Sequence, residues 1–478
     1  MCTLVILYFT MIKNSFIFEK LVNLLPKILP LIPPVCKAAY FPDQVREYPN
    51  LKYEKNGFPS ISLHPSIIDV SQFFRPRYGK PPEIALKEYD DFNELFNYLL
   101  ELPEIIKYYG NPLRENKISA NEFLGFRCKD IIEGFIERYY YLHGVIFDTE
   151  KFENIYLPIE NYIFSKEIHF DISIPILFIH FETEYFEITP TIILRKITDE
   201  SHRARHKIVG YSPAIVDSVF MSATHELVLK DYSYKKPENW LNSPFSKPKI
   251  YPHELIERFF SIFKIATNHT SGYAQMIIHP NNWADTYQSD LLPLDGASVR
   301  NYPAYFDDFF WNNKEYPEIS LSQIAIVKQL FLSAQQSTEN KLAFALKRFY
   351  KSTTRQEEED IIIDLIIALE ILLGDSEKSE ITHKLALRVS ALICFYNKEN
   401  YDPLEVFANI KKIYAYRSSI VHGSHKVSNK REIKLKDDNT VPIVRLANEY
   451  LNEILKIVLM EPKHLNSIEN DKLLLQNN

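Results

Sequence analysis

Residues 356–374 read QEEEDIIIDLIIALEILLG, and this run decides the C-terminal part of the fold. Ile361, Leu365, Ala368, Leu369 and Leu372 recur at helical spacing. Glu357, Glu358 and Glu359 fall in the first turn, where free N–H groups and the helix dipole favour negative charge. Gly374 and Asp375 end the run. Working outward, the same periodicity predicts helices over 320–336, 338–351, 380–397 and 403–422, with a last one near 441–460. Short connections join them, which predicts an all-α bundle of about 140 residues, an ordinary domain size.

Toward the N-terminus the texture changes. Ile168, Phe170, Ile172, Ile174, Ile176 and Phe178 fall at every second position, and Phe186, Ile188 and Ile192 keep that parity. This predicts a strand-rich centre over 155–200. The runs are short and no crossover helix separates them, so antiparallel pairing is expected. Pro175 suggests an edge strand or a bulge at its position. Two apolar stripes, Phe92/Leu95/Phe96/Tyr98/Leu99 and Ile131/Ile132/Phe135/Ile136, predict helices within 84–110 and 119–145. Residues 15–40 are apolar but broken by Pro26, Pro30, Pro33 and Pro34, which predicts extended or turn structure. Residues 41–80 read as loops and short strands. A proline-studded stretch occupies 232–252, a helix 253–267, and an irregular segment 279–317. The expected class is α+β multidomain. Residues 1–250 form an N-terminal mixed α/β region with the strand-rich centre, 251–317 a connector, and 318–462 the helical bundle.

Composition narrows the function. The 478 residues carry a net charge of −7, so no global basic field recruits nucleic acid and any polyanion must bind locally. Eleven glycines against 30 tyrosines and 32 phenylalanines argue against glycine-loop nucleotide folds and for aromatic cores. Cys2, Cys36, Cys128 and Cys394 are far apart, so neither a disulfide framework nor a zinc knuckle is expected, and a cytoplasmic location fits. The first eleven residues are apolar and uncharged, too short to span a bilayer and without the positive charge of a secretory signal. Packing of this segment, or a start at Met11, is the expected reading. A membrane partner is not expected.

Near the end of the last long helical segment stand Arg417 and His422. Five residues apart, they lie about 140° apart around a helix and share no face. Gly423 reads as a helix C-cap, and a histidine in the last turn suits the dipole. On these residues alone His422 is a capping residue and Arg417 a surface charge.

A wider set of motifs adds to this. FALKRF at 344–349, DLIIALE at 364–370, SEKSEITHKLALR at 376–388 and YRSSIVHG at 416–423 follow in order. Together they resemble the Apea-like branch of HEPN domains, over at most a third of the chain. The resemblance implies a homodimer whose motifs face each other across a helical interface, which removes the objection that Arg417 and His422 do not converge within one helix. It implies a metal-independent endoribonuclease with no cofactor, cutting RNA by transesterification, with Arg417 and His422 catalytic. A role in defence against phage, or as a toxin, would follow. Ser418 holds a position that is often polar in the family. Glu370 and Arg388 are charges inside apolar helices. They would orient the arginine, or form a structural pair, Glu370 with Arg388 or with Arg417. Some HEPN toxins carry a modified tyrosine two residues after the histidine; here that position is Ser424. The N-terminal region would bind a trigger. The alternative is a non-catalytic dimerising module.

Between 411 and 436 eight lysines and arginines face Glu432 alone, which makes Lys411, Lys412 and Lys426 candidate RNA contacts. Other constellations are weaker. His202 and His206 have metal-pair spacing, but Arg203, Arg205 and Lys207 disfavour a cation there. His180, Glu182 and Glu184 would share one strand face, expected to be an exposed one. Asn268-His269-Thr270 fits a glycosylation triplet, with nothing else pointing to secretion.

Overall fold

The apolar N-terminal segment is helical despite its prolines. Helix α1 (Ser15–Ile28) runs through Pro26, a short 3-10 turn follows at Leu29–Leu31, and α2 (Ile32–Ala38) takes Pro33 and Pro34 into its first turn. A proline there gives up an N–H that has no partner anyway. Pro26 costs about 3 kcal/mol, but Leu21, Leu24, Leu25 and Ile28 are all fully buried, at about 1.5–3 kcal/mol each. Burial wins, and the expectation of extended structure here is corrected. The buried Glu160 carboxylate accepts the N–H groups of Lys13 and Asn14 and the Tyr156 hydroxyl, and so fastens the start of α1.

The structure is a computed structural model that describes residues 12–38, 45–76, 79–110, 120–208, 215–239, 244–309, 315–375, 380–423, 431–436 and 438–476. After α2 comes an antiparallel hairpin of β1 (Val45–Tyr53) and β2 (Pro59–Ile68). Helices α3 (Asp90–Glu101), α4 (Pro103–Tyr109), α5 (Ala120–His143) and α6 (Thr149–Phe164) follow. The centre holds β3 (Glu167–Pro175), β4 (His180–Phe181), β5 (Tyr185–Thr189), β6 (Ile192–Lys196), α7 (Asp199–Arg205), α8 (Asp217–Met221) and β7 (His225–Lys235). Then come α9 (His253–Thr267), β8 (Tyr273–Pro280) and β9 (Asp295–Asn301). The short β10 (Glu318–Ile319) pairs parallel with β4 and leads into the C-terminal helices. These are α10 (Leu321–Gln336), α11 (Asn340–Thr354), α12 (Glu358–Leu373), α13 (Ile381–Tyr396) and α14 (Pro403–Val421). A hairpin of β11 (Glu432–Lys434) and β12 (Thr440–Pro442) precedes α15 (Ile443–Met460) and α16 (Ser467–Gln476).

Six strands form one antiparallel sheet in the order β5-β6-β7-β3-β8-β9. The expected antiparallel pairing is present. Pro175, however, lies neither on an edge nor at a bulge. It ends the interior strand β3 beyond the reach of β8, where its missing N–H spoils no pairing with that strand, and the bulge falls between Phe170 and Ile172. The proline-studded stretch from 232 begins inside β7, and 251–317 is no connector. It supplies α9 and two strands of the sheet. Phe260 of α9 stacks on Tyr273 of β8 and meets Tyr350 of α11, and Ser261 donates to the Leu346 carbonyl. One buried cluster consequently runs from Ile17 to Leu473, shared by sheet and C-terminal helices.

In the C-terminal region every helix expected from periodicity is present within a few residues. From Ile361 to Leu373, α12 has no exposed residue, and it packs against α11, α13, α14 and α15. A helix apolar all round belongs in the middle of a bundle. Its buried Asp364 accepts Arg348 Nη1 at 2.7 Å and Arg355 Nε at 3.0 Å, both reaching across from the α11 end. The helical region extends past 462: α16 packs on α13. Among the described residues no helix is long and apolar enough to cross a membrane.

Two expectations follow from packing and burial. Leu369→Ala in α12 should cost about 2–5 kcal/mol in urea unfolding, because the closely packed site cannot collapse around the void. The second concerns acid. Burial, then the Arg205 charge, pushes the His202 imidazole down to about 2, and burial pushes His225 down to about 4. Below the ordinary value of 6.5 the unfolded chain binds protons that the folded chain refuses. Stability should therefore fall as pH drops from 6.5 toward 4, by up to about 1.4 kcal/mol per pH unit for each histidine. Denaturant midpoints measured across that window should flatten in His202→Asn, which keeps an acceptor for Arg205.

Candidate functional site

Asp402 starts α14 as N-cap, its carboxylate accepting the Glu405 N–H at 2.8 Å, with Pro403 in the first turn. Val406, Ile410, Ile413 and Tyr416 form the buried stripe that seats α14 against α12 and its neighbours. That stripe fixes the rotation of the helix, and so fixes where Arg417 and His422 project.

Arg417 is half-buried at the edge of this seat. Its Nη2 lies 4.0 Å from Glu370 Oε2 on α12, and its guanidinium sits over the Tyr414 ring at 5.7 Å. Its Nε is buried and has no hydrogen-bond partner among the described residues. Burial, then the Glu370 carboxylate at its hydroxyl, pushes the Tyr414 phenol up. Glu370 thus holds Tyr414 and Arg417 together from a neighbouring helix. Tyr414 escaped the sequence reading, although its i, i+3 spacing to Arg417 was the available signal.

His422 is the C-cap of α14, with φ −92° and ψ 7°, and its side chain is exposed. Its N–H bonds the Ser418 carbonyl at 3.1 Å, and Gly423 takes the left-handed φ of 63° that glycine tolerates. Ser418 is half-buried beside Arg417. The helix end therefore presents a partly satisfied guanidinium, a hydroxyl and an exposed imidazole, with a carboxylate behind the guanidinium.

Arg388 is elsewhere. It is buried, and its Nε and Nη2 grip Asp471 of α16 at 2.8 Å each, its Nη1 the Leu373 carbonyl at 2.7 Å, and its Nη2 Asp375 at 3.1 Å. The Glu370–Arg388 pair and any orienting role of Arg388 are corrected: this arginine fastens the end of α12 to α16. Asp471 lies beyond the last helix expected from the sequence, so nothing in the sequence pointed to it.

The basic run after the motif is partly neutralised by carboxylates that folding brings in. Arg431 meets Glu358 and Glu359, Lys434 meets Asp438, and Lys436 meets Asp402. Lys411 and Lys412 stay exposed on α14, Lys411 over the Phe407 ring at 5.4 Å. Lys426, Lys430 and Ser424 lie outside the described residues.

The weaker constellations fall to structural roles, with one histidine of the metal-spaced pair in the core. His202 is buried and accepts from Arg205 Nε at 3.1 Å. Arg205 itself is fully buried, also bonded to the Phe220 and Met221 carbonyls and to Gln275, and burial lowers it to about 10. Of the expected exposed face, Glu182 and Glu184 are exposed, Glu182 accepting the Leu321 N–H and Glu184 pairing with Lys196, whereas His180 is half-buried and stacks on Phe58 at 4.4 Å. No group of three or more His, Cys, Asp or Glu side chains with metal-ligand geometry occurs among the described residues. The chain matches no protein-family model, no curated protein and no solved structure.

Arg388 and His422 should separate in stability. Arg388→Ala strands a buried network and should cost about 2–4 kcal/mol. His422→Ala removes an exposed side chain and should stay within about 0.5 kcal/mol of the parent. Paired urea titrations measure both, and a large loss in His422→Ala would make it a structural residue.

Proposed function

We propose that the chain is an endoribonuclease of the HEPN type, acting as a homodimer in which the α14 ends of two copies face each other. The observation that carries this reading is the end of α14. A guanidinium is held in place yet not fully hydrogen-bonded, on the same helix end as an exposed imidazole, within the ordered motifs that resemble that family.

The chemistry suits those groups. The RNA 2′-hydroxyl oxygen attacks the adjacent phosphorus, and the bond from phosphorus to the 5′ oxygen breaks. One imidazole takes the 2′ proton, and the protonated imidazole of the second copy supplies one to the leaving oxygen. Imidazole as a class exchanges protons near neutral pH. Arginine is permanently charged and forked, which matches the growing charge on the phosphoryl oxygens. Products end in a 2′,3′-cyclic phosphate and a 5′-hydroxyl. Glu370 and Tyr414 act as positioning residues through Arg417, and Lys411 and Lys412 supply phosphate contacts. A toxin-like or defence role is the physiological form of this activity.

A second reading, a dimerising module without catalysis, draws on the ion pairs that absorb Arg431, Lys434 and Lys436, since they leave less free charge for RNA.

Purified protein incubated with total RNA in EDTA should cleave it. Arg417→Ala and His422→Ala should each lower the rate at least about 100-fold, and Arg417→Lys nearly as much, because the planar fork is lost. Light scattering should show a dimer. Equal cleavage by all variants, loss of cleavage in EDTA, or products with 3′-hydroxyl and 5′-phosphate ends would overturn the assignment. Dimer formation without cleavage would favour the module.

A further inference from the structure

Away from α14, the C-terminal end of α5, the start of α6 and the loop after β8 enclose a cavity of about 330 Å³. That is within the size of small-molecule sites, roughly 300–1,000 Å³. Arg138, His143 and Lys151 line it, and none of its lining residues is an aspartate or glutamate. Apart from Asn154 and Asn282 its other walls are apolar or aromatic, with Ile155, Pro158 and Tyr287 among them.

Among the described residues none of these three cations makes a salt bridge. Arg138 Nη1 donates to the Ser289 and Leu291 carbonyls at 3.0 and 2.7 Å, and its guanidinium stacks over Tyr287 at 4.9 Å. Among the described residues it makes no ion pair, and its Nε and Nη2 bond no protein acceptor. Asp290 acts on Arg138 and Asp148 on His143 through space, but neither lines the cavity. Asp290 accepts the Tyr48 hydroxyl at 2.9 Å, and Asp148 caps α6 by accepting the Lys151 N–H at 3.1 Å. Burial, then the Lys151 charge, lowers the His143 imidazole, with Asp148 opposing and Arg138 adding to the effect. Cations that disfavour each other in a half-enclosed space are relieved by a dianion, and a forked guanidinium edge suits its oxygens.

We propose that this cavity binds a small organic phosphate monoester, its phosphate among Arg138, His143 and Lys151 and its apolar body against Ile155, Pro158 and Tyr287. The claim is independent of the nuclease reading.

The test uses phenyl phosphate as probe on the full chain, by calorimetry and thermal shift. Saturable binding is expected, with benzoate and inorganic phosphate each weaker by about tenfold or more, since each lacks one half of the complement. Lys151→Gln, an exposed position, should weaken phenyl phosphate about tenfold while leaving the melting temperature of the free protein unchanged. Arg138→Gln should weaken it further, and because Arg138 also holds the loop carbonyls, its far-UV spectrum is recorded alongside. Binding should raise the titration midpoint of His143, read by NMR. Absence of saturable binding to wild type, or equal affinity in Lys151→Gln, would overturn the proposal. Benzoate binding as tightly as phenyl phosphate would overturn the phosphate assignment.

Discussion

The burial of α12 is the constraint on which the C-terminal region depends. Between Ile361 and Leu373 it offers no face to solvent, so it can exist as a helix only if other helices surround it. Helices α11, α13, α14 and α15 do so, and each turns its apolar stripe inward to meet it. The rotation of α14 follows from that demand. With Ile410, Ile413 and Tyr416 directed into the core, Arg417 is left at the rim, within reach of Glu370 on α12. The geometry of the candidate site is thus a by-product of packing an apolar helix.

Three buried charges elsewhere act as fasteners. Asp364 joins α11 to α12 through two arginines, Arg388 joins α12 and α13 to α16, and Glu160 holds the start of α1. Breaking such a network leaves an uncompensated charge in low dielectric, which is why these residues belong to stability. Arg417 differs. Its carboxylate contact is long, its Nε lacks a partner among the described residues, and it borders solvent. Arg46 Nε is also buried without a partner among the described residues. Arg417, however, combines that incomplete satisfaction with a place at the end of α14, beside Ser418 and on the helix that His422 caps. This combination is the ground for separating it. Arg138 shares the incomplete satisfaction, at the wall of a cavity.

Local sequence rules give way in this chain where tertiary demands oppose them. Prolines in 26–34 argued against helix, yet apolar burial outweighed the lost hydrogen bonds. Pro175 argued for an edge, yet an interior strand can carry a proline at its last residue. The segment 251–317 looked like a connector because its helix and two strands are separated by irregular loops. Its residues bind the sheet to the helices through Phe260, Tyr273 and Tyr350. A charge count along 411–436 saw one acidic residue, because Glu358, Glu359 and Asp402 arrive from elsewhere in the chain.

The sequence by itself determined the helices of the C-terminal region, the antiparallel character of the strand-rich centre and the C-cap at His422-Gly423. These rest on periodicity and on backbone preferences that act over a few residues. Tertiary structure alone decided which charges are paired. Asp471 takes Arg388, Glu370 approaches Arg417 and Tyr414, and Arg138, His143 and Lys151 are left around one cavity without a carboxylate. Pairing depends on distances between residues far apart in the chain, and those distances are set by how the apolar faces pack.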